Sequence, residues 1–134
     1  MEVPRAKILI IDDDPFFLKI LSDAFVDNSF VVVTAENGVA GIRAFLDNAP
    51  DVVISDLIMP KLGGVSTCLE ISRLSGDAEP IIILLTSMFR GEPHEHETPE
   101  MGARVHIPKS TKPIDIVILV EQLLDRKEHY AVSR

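Results

Sequence analysis

Five short apolar runs, each followed by a segment of helical spacing, constrain this chain more than any other feature. The runs are Ile8 to Ile11, Phe30 to Val33, Val52 to Ile54, Ile81 to Leu85 and a weaker Val105 to Ile107. Several are β-branched and continuous instead of alternating, which suits strands covered on both faces. After Pro15, the residues Phe16, Phe17, Ile20, Leu21, Ala24 and Phe25 make one apolar stripe, and Val39, Ile42, Phe45 and Leu46 make the next. Val65, Cys68 and Leu69 begin a third stripe. From Pro113 to about Lys127 a last helix carries Ile116, Val117, Val120, Leu123 and Leu124. Alternating strands and helices predict an α/β fold, a doubly wound five-stranded parallel sheet with helices on both faces.

The helix between the fourth and fifth strands is poorly signalled. Residues 89–101, FRGEPHEHETPEM, hold two prolines, a glycine and almost no apolar spacing, so this helix is expected to be short, displaced or mobile. No repeat or linker interrupts the pattern. The expectation is a single domain over 1–134, with a core at about 6–127 and a tail at 128–134.

Charge and cysteine content narrow the classes of function. Twenty-one acidic residues stand against thirteen basic ones, a net charge of −8, with no basic stripe. This argues against direct nucleic-acid binding and against an anionic membrane surface. No apolar run approaches the roughly 18 residues that span a bilayer, and MEVPRAK leads directly into a strand and not a signal sequence. The single Cys68 forms no internal disulfide and suits a reducing compartment. The expected location is cytoplasmic.

Sites in open α/β sheets form beyond the carboxyl ends of the strands, where strand order reverses. Asp12 and Asp13 follow the first strand, Asp56 the third in VVISDLIMPKLGG, Thr86 the fourth in IIILLTS, and Lys109 the fifth in VHIPKST. Three carboxylates, a hydroxyl and an ammonium would then share one edge. Carboxylates about 4 Å apart repel by roughly 4 kcal/mol at an effective dielectric near 20. A hard cation such as Mg²⁺, which keeps several waters and binds through one or two carboxylates, would relieve that repulsion. Asp14, placed before Pro15, reads instead as a helix cap.

With this order and spacing the chain resembles the receiver domain of bacterial two-component response regulators. The resemblance rests on the acidic pair after the first strand, on DLIMP with Gly64 four residues beyond Pro60, on Thr86, and on Lys109 seven residues after Gly102. It implies a flavodoxin-like sheet with strand order 2-1-3-4-5. It also implies a regulator, not a turnover enzyme, in which Asp56 accepts a phosphoryl group from a histidine kinase or a histidine phosphotransfer protein. Asp12, Asp13, Asp56 and the backbone carbonyl of Ile58 would hold Mg²⁺, and Thr86 and Lys109 would bind the phosphoryl oxygens. The switched surface would act on a downstream effector protein or on an output domain outside this chain. A homodimer through the fourth helix, fifth strand and last helix is a further implied partner; Ile114 and Ile118 lie off the last helix's main apolar arc.

The chain departs from the family pattern in several places. Lys112 is an alternative active-site lysine, because Lys112-Pro113 matches a dipeptide common in receivers. Distance favours Lys109, which lies 23 residues from Thr86 against 26 for Lys112. His106 stands where the family often has a switching Tyr or Phe. It reads either as an ionisable switch or as a strand-edge histidine. Ile58 and Met88 are apolar where the family's hydrolytic water passes, which predicts slow loss of the phosphoryl group. Two other functional classes compete. An aspartate-nucleophile phosphohydrolase would usually carry a second acid two residues after Asp56, where this chain has Ile58. A pseudo-receiver would lack a phosphorylation residue, and none is missing. His94 and His96 read as part of an acidic loop and not a metal site, and Cys68 as a core residue.

Overall fold

The computed structural model describes residues 5–59, 62–76, 79–87 and 105–132, with side chains described as far as Lys127. In chain order the elements are β1 (Lys7–Ile11), α1 (Pro15–Val26), β2 (Val31–Ala35), α2 (Gly38–Asn48) and β3 (Val52–Asp56). They continue with α3 (Gly64–Ser75), β4 (Ile81–Thr86), β5 (Val105–Pro108) and α4 (Pro113–Val132). The helix expected at 89–101, with His94 and His96, lies outside the described residues, as do Met88 and Gly102.

All strand pairs are parallel and the order is β2-β1-β3-β4-β5. Chain order therefore reverses at β1, which has β2 on one side and β3 on the other, and this defines the edge where a site can form. Alternate residues of each strand point to opposite faces. Ile8 and Ile10 of β1, Val52 and Ile54 of β3, and Ile81, Ile83 and Leu85 of β4 face α1 and α4. Leu9, Ile11, Val53, Ile82 and Leu84 face α2 and α3. That double cover is why β3 and β4 are buried along their whole length, whereas the edge strands β2 and β5 are not.

The helices are rotated from the simplest reading of their apolar spacing. In α1 the buried line is Leu18, Leu21 and Phe25, while Phe16 and Ile20 are exposed. Phe17 and Ala24 pack against the core from its flank. In α2 the inward line is Gly38, Gly41 and Phe45, and Val39 and Leu46 face outward. Gly41 lets α2 lie close on the sheet, where a Cβ would sit 2.5 Å from Ile11 Cδ1, and Gly38 lets it lie close to α3, where a Cβ would sit 2.2 Å from Thr67 Oγ1. Contact, not hydrophobicity alone, chooses the face. Leu69 of α3 is likewise exposed, while Cys68 is fully buried among apolar neighbours. In α4, Ile116, Val117, Val120 and Leu123 are buried and Ile114 and Ile118 are outside, as their spacing predicts.

Removing a fully buried strand side chain should cost far more than removing an exposed helical one of the same type. Ile10→Ala is expected to lower unfolding free energy by about 2–5 kcal/mol. Ile20→Ala is expected to change it by no more than about 0.5 kcal/mol. Urea denaturation of the two variants measures both.

Candidate functional site

The three consecutive aspartates leave β1 in different directions. Asp12 still belongs to the sheet edge, its amide donating to the Ala35 carbonyl at 3.0 Å, and it is fully buried. Its Oδ1 accepts the Asp14 amide at 2.8 Å, which turns the chain and leaves Oδ2 facing the site. Asp13 is exposed. Asp14 caps α1, its Oδ1 accepting the Phe16 amide at 3.0 Å, with Pro15 at the first helical position. One acidic run thus supplies two site carboxylates and one cap.

Asp56 ends β3 and is only 5% exposed. The loop beyond it folds back closely, with the Leu57 amide donating to the Leu85 carbonyl and the Gly64 amide donating to the Leu57 carbonyl. A Cβ on Gly64 would lie 2.1 Å from the Asp56 carbonyl oxygen and 2.8 Å from Leu57 Cα, so only glycine fits this approach. Among the described residues, Asp12, Asp13 and Asp56 each offer one carboxylate oxygen, and these oxygens lie within 4.8 Å of one another.

Lys109 is brought to them by β5. Its amide donates to the Thr86 carbonyl at 2.8 Å, tying the end of β5 to the end of β4. Its ammonium lies 2.8 Å from Asp12 Oδ2 and 3.6 Å from Asp56 Oδ2. Lys112 goes elsewhere: it is exposed, and its carbonyl accepts the amides of Asp115 and Ile116 at the start of α4. Thr86, buried at the end of β4, lines a cleft with Ser87, Pro108, Lys109 and Ser110. Ile58 is exposed, and its backbone amide hydrogen-bonds Asp56. His106 is half-buried in β5, in register with Leu84.

One residue at the site is easily passed over in the sequence. The Phe17 ring faces the Lys109 ammonium, with Nζ 4.6 Å from its centroid. Its apolar character places it in the core by default. The available signal is position: it lies in the first turn of the helix that starts immediately after the acidic run.

A family model for the response regulator receiver domain matches residues 8–121. The chain belongs to that family. Over 130 residues it is 34% identical to the probable transcriptional regulator ycf27 of Guillardia theta, covering 96% of this chain and 49% of that protein. It is 36% identical over 83 residues to the chemotaxis protein CheY of Bacillus subtilis (strain 168), covering 61% of this chain and 68% of CheY. Among solved structures, a response regulator receiver domain protein from Clostridium thermocellum superposes with a TM-score of 0.78 at 29% identity, covering 94% of this chain and 99% of that one. The receiver spans about half the length of the ycf27 regulators it matches.

Electrostatics in this receiver follow from burial and crowding. Burial, then the charge of Asp12, raises the Asp56 carboxyl above its ordinary value; Lys109 and the Ile58 amide pull the other way without cancelling the shift. Burial would depress the Lys109 ammonium, but the hydrogen bond and charge of Asp12, followed by the charges of Asp56 and Asp14, hold it above its ordinary value. Lys109 therefore stays cationic. Buried Cys68, its thiol pushed up to about 12, is a packing residue and not a reactive one. The oxygen-only donor set, with two buried carboxylates and one exposed, fits a hard divalent cation that retains water.

Because the folded receiver raises the Asp56 pKa, the folded state holds a proton that the unfolded chain has released at pH just above 3.8. Ionising Asp56 therefore costs stability, and the cost sets in as pH rises through that window. Without divalent cations, Asp56→Asn should melt higher than the parent, with the gap opening as pH rises and closing when Mg²⁺ is added. Differential scanning calorimetry across pH measures it. Gly64→Ala should lower the melting temperature of the receiver and disturb the Asp56 carboxylate, read from the amide and carboxyl NMR shifts around residue 56.

Proposed function

We propose that this receiver is a phosphorylation-controlled signalling module in which Asp56 is the phosphoacceptor. The observation that carries the reading is the meeting of Asp12, Asp13 and Asp56 at the sheet edge with one ammonium reaching both Asp12 and Asp56. A carboxylate oxygen of Asp56 attacks the phosphorus of a phosphohistidine, forming the O–P bond as the N–P bond breaks. The donor is a histidine kinase or a histidine phosphotransfer protein. Charge develops on the equatorial phosphoryl oxygens during this transfer. Lys109 supplies a fixed positive charge to them, and the Thr86 hydroxyl donates to them. Asp12, Asp13, Asp56 and the Ile58 carbonyl would hold Mg²⁺, which when bound adds Lewis-acid stabilisation of the same oxygens.

The aspartyl phosphate adds charge at a buried edge, and Thr86 and His106, near the ends of β4 and β5, are placed to pass the change outward. The recipient is a downstream effector protein or an output domain, consistent with the receiver's half-length match to the ycf27 regulators. Exposed Ile114 and Ile118 on α4 support a partner face there, homodimeric or otherwise. The exposed apolar Ile58 supports slow loss of the phosphoryl group. It also speaks against the phosphohydrolase reading, in which an acid usually stands at that place. Among the described residues no helix is long and apolar enough to cross a membrane, and we place the module in the cytoplasm.

Incubation with Mg²⁺ and a small phosphodonor should add one phosphoryl group to the parent and none to Asp56→Asn, read by intact mass. An unchanged parent, or a modified Asp56→Asn, refutes the assignment. Calorimetric titration with Mg²⁺ should show affinity reduced about tenfold or more in Asp13→Asn. Asp14→Asn, at a residue that caps α1 and is not among the three clustered carboxylates, should bind nearly as the parent does.

A further inference from the structure

The Lys109 ammonium is held from three sides by groups of different kinds. Two are carboxylates, Asp12 Oδ2 at 2.8 Å and Asp56 Oδ2 at 3.6 Å. The third is the face of Phe17, 4.6 Å from Nζ to the ring centroid, within the range where a cation is drawn to an aromatic quadrupole. The contacts differ in permanence. Asp12 belongs to the cation-binding set, so a divalent cation and the ammonium compete for the same carboxylate. Asp56 changes chemically when it is modified. The ring is neutral, binds no hard cation and remains the same in every state of the site.

Phe17 is also well fixed. It lies in the first turn of α1, whose start is set by the Asp14 cap and Pro15, and it packs against the core formed by β1, β3, β4, α1 and α4. The same turn that fixes Asp12 and Asp13 therefore fixes the ring. The lysine, by contrast, carries its charge on a flexible four-carbon stem with large rotamer freedom. Its side chain is only 17% exposed, so the ring also covers a direction from which water would otherwise reach the ammonium.

We propose that Phe17 is a positioning residue whose ring seats the Lys109 ammonium beside Asp56. Its effect on phosphoryl transfer rests on the reading of Asp56 as phosphoacceptor; the seating itself does not. The ring keeps the ammonium near Asp56 when Asp12 is engaged elsewhere, without adding charge to a crowded acidic edge.

The test compares the full chain with Phe17→Leu, Phe17→Met and Phe17→Tyr, each first checked for a cooperative melt; Met replaces Leu if Leu does not fold. In the cation-free protein, the Lys109 ε-methylene protons, assigned with Lys109→Arg, should show an upfield ring-current displacement in parent and Tyr variant that is lost in Leu and Met. With Mg²⁺ and acetyl phosphate, the initial rate of mass gain should fall roughly fivefold in Leu or Met, the order of effect of one partly buried cation–π contact. Phe17→Tyr should recover the parent rate within about twofold, a rescue that bulk packing alone would not single out. Absence of the ring-current displacement in the parent overturns the seating. A displacement lost in Leu and Met with the rate unchanged overturns the positioning role while leaving Asp56 in place. A parent that gains no mass refutes the phosphoacceptor reading and with it the role in transfer, and the NMR comparison still decides whether Phe17 seats the lysine.

Discussion

Two buried carboxylates facing one ammonium are the interaction on which the site depends. Asp12 and Asp56 lie at the ends of neighbouring strands, and burial, reinforced by the charge of Asp12, raises the Asp56 carboxyl. Lys109 answers both, at 2.8 and 3.6 Å, and is itself kept cationic by them. Removing either kind of charge leaves the other buried without its partner, the most damaging change such a pair permits. With three carboxylates meeting one ammonium, the site remains electrostatically short of positive charge.

The parallel sheet makes that encounter possible. Every strand runs the same way, so every carboxyl end opens on the same edge, and residues distant in sequence arrive there together. Asp12, Asp56, Thr86 and Lys109 come from four strands or the turns that follow them. Backbone contacts then fix the approach. The Lys109 amide is tied to the Thr86 carbonyl, and Gly64 lets the loop after β3 lie against the Asp56 carbonyl. Stability of the sheet and placement of the site share these contacts, so mutations that loosen the edge should be felt in both.

Much of this was legible in the chain, and the misses have physical causes. The strands were visible because continuous β-branched runs have few other uses in a domain of this size. Asp14 was legible as a cap because it precedes proline at a helix start, and it does cap Phe16. Helix faces were read less well. Ile20, Val39, Leu46 and Leu69 are apolar yet exposed, because the buried arc is narrower than the apolar one and Gly38 and Gly41 occupy the closest approach of α2. Phe17 was legible only as packing, since a ring against the core and a ring over an ammonium look the same in one dimension.

By itself the amino-acid sequence determined the alternation of strand and helix, the acidic run at the first strand end, and the candidate residues at the other ends. These are local properties: periodicity, capping chemistry and residue type act over a few positions. Spacing from Thr86 favoured Lys109, but which lysine enters the site was a tertiary decision. Lys109 and Lys112 are three residues apart and chemically identical. The bond between the Lys109 amide and the Thr86 carbonyl directs one toward Asp12, while the start of α4 uses the carbonyl of the other and leaves its side chain in solvent. The ring that meets the chosen ammonium was decided in the same way, by the packing of α1 on a sheet edge that exists only once distant strands have paired.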